Sequence, residues 1–128
     1  MKEQTLSVFL VDDDAAVIRT LSAILERRGC DVTASTDPVE ALSLFRNRPQ
    51  HYRLVMTDLK MPVMTGEEFI TEVRKIRPRV PVVVCSGYLD EEAMERLHAL
   101  QVAEVVYKPV SIATLSGVLH RLFPERWA

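Results

Sequence analysis

The sequence lacks any apolar run that approaches the roughly 20 residues a helix needs to cross a bilayer. It opens on Met1-Lys2-Glu3-Gln4, which is too polar to start a secretory signal. A cytoplasmic setting is therefore expected, with no membrane contact. It is poor in cysteine: Cys30 and Cys85 are the only 2, and they show neither a metal-ligand spacing nor a disulfide framework. Cys85 sits in a valine-rich run, where a thiol behaves as a small hydrophobe, so both are expected to stay reduced. The chain also lacks a strong charge of either sign. A formal net charge of −2 argues against a nucleic-acid surface, which would make the domain basic. Repeats, low-complexity tracts and flexible linkers are missing as well. What is present is 128 residues, enough for one compact domain with its own core and too few for a second.

Short β-rich runs alternate with helical stripes along the whole chain. Leu6 to Val11 reads as a strand, and Ala15 to Arg28 as a helix with Val17, Ile18, Leu21, Ile24 and Leu25 on one face. Gly29 closes that helix. Asp31 to Ser35 is a second strand. Asp37-Pro38-Val39-Glu40 then predicts a capped helix start, with Glu40 completing a capping box. Arg53 to Thr57 is the third strand, and Thr65-Gly66-Glu67-Glu68 opens a helix running to about Ile76. Val80 to Cys85 is a fourth strand whose valines suggest burial on both faces. A helix follows from Asp90 to about Leu100, then a strand from Glu104 to Tyr107 and a last helix from Ser111 to Phe123. Strict (βα)₅ alternation implies a parallel sheet with helices on both faces.

In such sheets the site lies outside the carboxyl ends of the strands. The residues there are Asp12, Asp13 and Asp14 after strand one, Asp58 after strand three, Ser86 after strand four, and Lys108-Pro109 after strand five. Each has an ordinary reading by itself. One of the three acids can cap the first helix, Asp58 can serve a turn, Ser86-Gly87 is a common turn pair, and Lys108 can be a solvated lysine. Brought together they make a different object. Crowded carboxylates repel unless a cation intervenes, and an all-oxygen set suits Mg²⁺. A lysine adds a point charge and a serine a hydrogen bond, the parts that stabilise a transferring phosphoryl group. Asp58 is then the candidate nucleophile for an aspartyl phosphate.

At these residues the chain resembles the receiver domains of bacterial response regulators. The segments that carry the likeness are Val8-Phe9-Leu10-Val11-Asp12-Asp13-Asp14, Leu54 to Pro62 with Asp58-Leu59-Lys60-Met61-Pro62, Met64-Thr65-Gly66, Val82 to Gly87, and Tyr107-Lys108-Pro109. The resemblance implies a flavodoxin-like sheet in the order 2-1-3-4-5 and an Mg²⁺-dependent switch. It implies Asp58 as phosphoacceptor and Asp12, Asp13, Asp58 and the backbone carbonyl of Lys60 around the metal. It gives Ser86 and Lys108 as the groups that engage the phosphoryl oxygens, and Lys60 and Tyr88 as positions that tune its lifetime. The peptide before Pro109 is commonly cis in that family. Many receivers carry an aromatic residue three positions before the site lysine, where this chain has Val105, so its switch is expected to run by another route. Tyr107, of opposite strand parity to Lys108, does not replace that ring.

The donor implied is a histidine kinase or a histidine phosphotransfer protein, with slow autodephosphorylation as the second reaction. The output implied is a protein target, with weak homodimerisation through fourth-helix residues such as Glu91, Glu95 and Arg96 as an option. The domain either stands alone or belongs to a larger protein. It is read as a phosphoacceptor rather than an enzyme acting on a separate substrate. Two alternatives remain at this point. One is a haloacid-dehalogenase-like phosphatase with Asp12 as nucleophile, though Ala16 stands where its hydroxyl residue belongs. The other is a pseudo-receiver, a binding module that is never phosphorylated. Trp127 is read as packed on the last helix, with a contact role as the other option.

Overall fold

The computed structural model describes residues 5–127. The side chain of Trp127, expected against the last helix, lies outside the described residues. The chain runs β1 (Leu6–Val11), α1 (Ala15–Arg27), β2 (Cys30–Ser35), α2 (Pro38–Asn47), β3 (Leu54–Thr57), α3 (Gly66–Ile76), β4 (Val82–Ser86), α4 (Glu91–Ala99), β5 (Glu104–Tyr107), α5 (Ile112–Leu122) and α6 (Pro124–Trp127). The five strands pair in parallel, as the alternation implies, and in the order β2-β1-β3-β4-β5 that the resemblance implies. Observed and expected boundaries differ by one or two residues at several ends. The short α6, in the charged tail, was not anticipated.

Local chemistry explains the starts and stops. Asp14, Asp37, Asp90 and Ser111 cap α1, α2, α4 and α5, each accepting backbone N–H groups of the first turn. Thr65 and Glu68 close a reciprocal capping box on α3. The box expected at α2 does not form. The Asp37 N–H donates to Ser35 Oγ at 3.1 Å, and Glu40 Oε1 instead accepts from that hydroxyl at 3.3 Å. Gly29 follows α1 at φ 86°, a conformation that a residue without Cβ adopts at little cost.

The sheet is buried on both faces. Phe9, Val11, Val55, Val82 and Val84 face α2, α3 and α4 through Phe45, Phe69, Ile70 and Leu97. Val8, Leu10, Met56, Val83 and Cys85 face α1 and α5 through Leu21, Leu25, Leu115 and Val118. Alternate residues of one strand thus serve opposite layers, which is why β4 reads as an unbroken apolar run. Phe9 anchors the first layer, with the Tyr52 and Phe45 rings at 4.8 and 5.7 Å between centroids.

Both thiols sit in the second layer, Cys30 at 6% and Cys85 at 2% exposure. Burial pushes their pKa values up, to about 11 and about 12. Since the thiolate is the reactive form, the native protein at neutral pH should react with a soluble aromatic disulfide far more slowly than the urea-unfolded chain, which should titrate both thiols at once. Rapid labelling of either thiol in the folded protein would contradict this burial.

Candidate functional site

Register sets the site. Val11 pairs with Thr57 at the ends of β1 and β3, so Asp12 and Asp58 leave the sheet side by side. The Asp58 N–H donates to the Val11 carbonyl at 3.1 Å. Thr57 pairs with Val84, which carries β4 further outward and puts Ser86 at the rim. Ser86 pairs with Tyr107, and the Lys108 N–H donates to the Ser86 carbonyl at 2.8 Å. The Lys108–Pro109 peptide is cis.

The side chains converge. Lys108 Nζ lies 2.7 Å from Asp12 Oδ2, to which it donates, and 3.2 Å from Asp58 Oδ2. Asp12 Oδ1 accepts the Asp14 N–H at 2.9 Å, and Asp58 Oδ1 accepts the Leu59 N–H at 2.7 Å. Asp14 is occupied as the α1 cap, so of the three acids it is Asp12 and Asp13 that remain for the site. One oxygen each from Asp12, Asp13 and Asp58 falls within a mutual span of 4.8 Å. Asp12 is 1% exposed and Asp58 8%, whereas Asp13 faces solvent.

Burial raises the Asp12 pKa above the ordinary carboxylate range, and neighbouring Asp58 adds to the rise. The Lys108 ammonium and the Asp14 N–H offset only part of it. Burial also works against the Lys108 ammonium, but the two carboxylates outweigh it and hold its pKa above that of an ordinary lysine. With all four groups ionised, three carboxylates face one ammonium, leaving two negative charges. An all-oxygen cluster of that charge fits a hard divalent cation.

Of the remaining expected residues, three share a neighbouring cleft and Val105 lies outside it. Ser86, 2% exposed, donates to the Tyr88 carbonyl at 3.4 Å. Ser86, Lys60 and Tyr88 line one cleft of about 280 Å³ with Leu59, Glu67 and Arg96. Val105 is not among its lining residues. It is half-buried against the α2–α4 layer, and Tyr107 stands 53% exposed. Arg96, one of the fourth-helix residues read as a solvated surface with a partner face as an option, is paired with Glu67.

One residue had no role assigned from the sequence. An added Cβ on Gly66 would stand 2.0 Å from the Asp58 carbonyl oxygen and 2.7 Å from Leu59 Cα. The first residue of α3 thus abuts the backbone that carries Asp58, and Gly66 N donates to the Leu59 carbonyl at 2.8 Å. The available signal was a glycine at a helical position where helix formation alone disfavours it. Between them, Val63 adopts φ 73° at 92% exposure, with Met64 N donating to the Pro62 carbonyl at 2.8 Å. A β-branched residue at the centre of such a γ-turn is strained.

An acidic cluster at the carboxyl edge of a 2-1-3-4-5 parallel sheet places the molecule in the flavodoxin-like class. Comparison with known proteins narrows the class. The profile described as Response regulator receiver domain matches residues 8–120, and the chain belongs to that family. It is 39% identical over 105 residues to a protein-glutamate methylesterase/protein-glutamine glutaminase of Anaeromyxobacter dehalogenans, covering 80% of this chain and 29% of that protein. It is 32% identical over 120 residues to a transcriptional regulatory protein, a CpxR homolog, of Haemophilus influenzae, covering 89% and 50%. The chain thus spans half or less of the length of these curated relatives. Among solved structures, a CheY-like receiver domain protein of Methanospirillum hungatei superposes with a TM-score of 0.88 at 25% identity, covering 96% of this chain and 97% of that one. Chemotaxis protein CheY4 of Vibrio cholerae gives 0.87 at 26%, covering 94% and 100%. The chain is a receiver domain of the two-component type, a phosphoacceptor switch. No helix among the described residues is long and apolar enough to cross a membrane.

Two outcomes follow from the geometry. Gly66→Ala overpacks the Asp58 backbone and should cost about 1–3 kcal/mol of stability in urea unfolding, with wild-type stability refuting the close approach. Asp12→Asn removes a charge that burial disfavours. A raised carboxyl pKa destabilises the fold in full above the folded-state value, less and less as pH falls toward the unfolded-state value, and not at all below that. In metal-free buffer at neutral pH the variant should therefore resist urea better than the wild type, and the gain should shrink as pH falls and Asp12 itself becomes neutral. A gain that grows on acidification would reverse the sign.

Proposed function

We propose that Asp58 is the phosphoacceptor of this receiver and that Lys108, Ser86, Asp12 and Asp13 form its machinery. The observation that carries the reading is the single ammonium set between Asp12 and Asp58, within a cluster that one divalent ion could span. Mg²⁺ is the ion proposed, held by Asp12, Asp13, Asp58 and the Lys60 carbonyl. When bound, it would supply positive charge to the phosphoryl oxygens.

The donor is a phosphohistidine on a kinase or phosphotransfer protein. Its P–N bond breaks as a carboxylate oxygen of Asp58 bonds to phosphorus, and the imidazole nitrogen keeps the electron pair and takes a proton from solvent. Lys108 then faces the phosphoryl oxygens, and Ser86 Oγ leaves the Tyr88 carbonyl to donate to one of them. Hydrolysis reverses the charge state: water attacks phosphorus, the P–O bond to Asp58 breaks, and inorganic phosphate departs. Lys60 and Tyr88, on the shared cleft, govern access of that water. The chain acts on its own side chain and turns over no separate substrate.

A donor also needs a seat. An apolar cleft of about 390 Å³ between α1 and the start of α5, lined by Ala16, Val17, Leu21, Pro109 and Val110, begins at Lys108 itself. Its apolar lining and its position beside Lys108 suit a helix bearing the histidine. The output is a change of protein contact in a cytoplasmic setting, whether the domain stands alone or within a longer chain, with a weak homodimer as one form of that contact.

The test is intact mass after incubation with phosphoramidate and Mg²⁺. One phosphoryl adduct on the wild type, not formed when Mg²⁺ is chelated from the outset and absent from Asp58→Asn, is expected. An adduct that survives Asp58→Asn would move the nucleophile elsewhere and revive the phosphatase reading with Asp12. No adduct on either protein would make the chain a pseudo-receiver.

A further inference from the structure

Helix α4 is lightly seated on the sheet: Ala93 and Leu97 are its only buried residues, as few as in the longer α1, whereas α3 buries Gly66, Phe69, Ile70 and Val73. Polar ties to α3 hold its C-terminal half. At its C-terminal end Arg74 of α3 donates through Nε to the Leu100 carbonyl at 2.9 Å and through Nη2 to the Gln101 carbonyl at 3.0 Å. The same guanidinium bonds the Val80 carbonyl before β4, which fixes this end to the sheet. One turn before that end, Arg96 forms a two-pronged ion pair with Glu67, at 2.6 Å from Nε to Oε1 and 3.1 Å from Nη2 to Oε2. This pair is open to water, with side-chain exposures of 54% and 27%.

The exposed tie spans the cleft that holds Ser86. Glu67 follows Gly66, the residue that abuts the Asp58 carbonyl. Arg96 lies on the helix that continues from the Ser86–Asp90 loop, and Glu67, Arg96, Ser86, Tyr88 and Asp90 line one space. For Ser86 Oγ to reach a phosphoryl group on Asp58 it must leave the Tyr88 carbonyl, and the loop must give. Val105 has no ring to swing and no polar group to report that movement. The movement therefore passes along the backbone into α4.

We propose that the Glu67–Arg96 ion pair is a releasable latch that positions α4 and the Ser86–Asp90 loop in the resting state. It lets go when Ser86 turns to a phosphorylated Asp58, while Arg74 remains as the pivot. The inference rests on the phosphoacceptor reading and adds the route from site to output face. Glu67 and Arg96 are positioning residues: they touch no reacting atom.

The test compares the wild type, Glu67→Gln, Arg96→Gln and the exchanged pair Glu67→Arg with Arg96→Glu. Binding of beryllofluoride with Mg²⁺, a phosphoryl mimic, is measured by calorimetry. Amide hydrogen exchange is followed in the metal-free proteins. An exposed pair present only in the resting state should, when broken, tighten beryllofluoride binding by about two- to five-fold. The difference should narrow at high salt. Exchange should rise across residues 87–96 and stay level at Leu100 and Gln101, and the exchanged pair should restore both readouts. A merely destabilised variant would not bind more tightly. Unchanged or weaker binding by the single variants, or no rescue by the exchanged pair, overturns the latch. If the wild type itself fails to bind beryllofluoride, the phosphoacceptor reading fails, and the exchange data still decide whether the pair restrains α4.

Discussion

The arrangement depends on one ammonium group between two carboxylates. Asp12 leaves β1 and Asp58 leaves β3 at the same level of the sheet, and without a cation they would meet as like charges in a place nearly closed to water. Lys108, arriving from β5 on a long apolar stem, reaches across β4 to join them at 2.7 and 3.2 Å. A parallel sheet of this order brings three strand ends, from the first, third and fifth strands, to one point. The fold is thus a means of holding charge density at its rim, and the two apolar layers beneath supply the stability that the rim lacks. The ammonium does not balance the site fully. What remains, two negative charges in an oxygen-lined cluster, is an attraction for a divalent cation.

That logic was readable in the sequence because it depends on position at strand ends, and strand ends are marked by patterns of apolar residues. Five strands, a helix after each, and the placement of Asp12, Asp58, Ser86 and Lys108 at one rim all follow from period and order. Other features escaped for physical reasons. The capping box at α2 was misplaced because Ser35, a strand residue, competes for Glu40. The γ-turn at Val63 was invisible because a β-branched residue argues against positive φ. Gly66 resembled a helix-start residue until its closeness to the Asp58 carbonyl was seen. The Glu67–Arg96 pair joins two helices whose relative placement no periodicity encodes. Arg96 therefore read as a solvated surface charge.

Three unfavourable features gather at one end of the molecule. The buried Asp12 carboxyl, the Val63 turn and the Gly66 contact all lie at the carboxyl edge, above layers where Phe9, Phe45, Phe69 and Leu115 are wholly buried. Strain kept at a functional rim and supported by a rigid core is the usual pattern for sites that must change state.

The same division bears on what a phosphoryl group can move. A switch works when its two states differ by no more than its ligand can supply. Shifting a helix seated on a full apolar face would cost several buried side chains at roughly 1.5–3 kcal/mol each, beyond the few charge-assisted hydrogen bonds that one phosphoryl group creates. Helix α4, which buries only Ala93 and Leu97, lies within that range, and an exposed ion pair worth about 0.2–1 kcal/mol biases its resting position without locking it. A tighter latch, buried or apolar, would leave phosphorylation with too little energy to release it. A looser one would let α4 move before any phosphoryl group arrived.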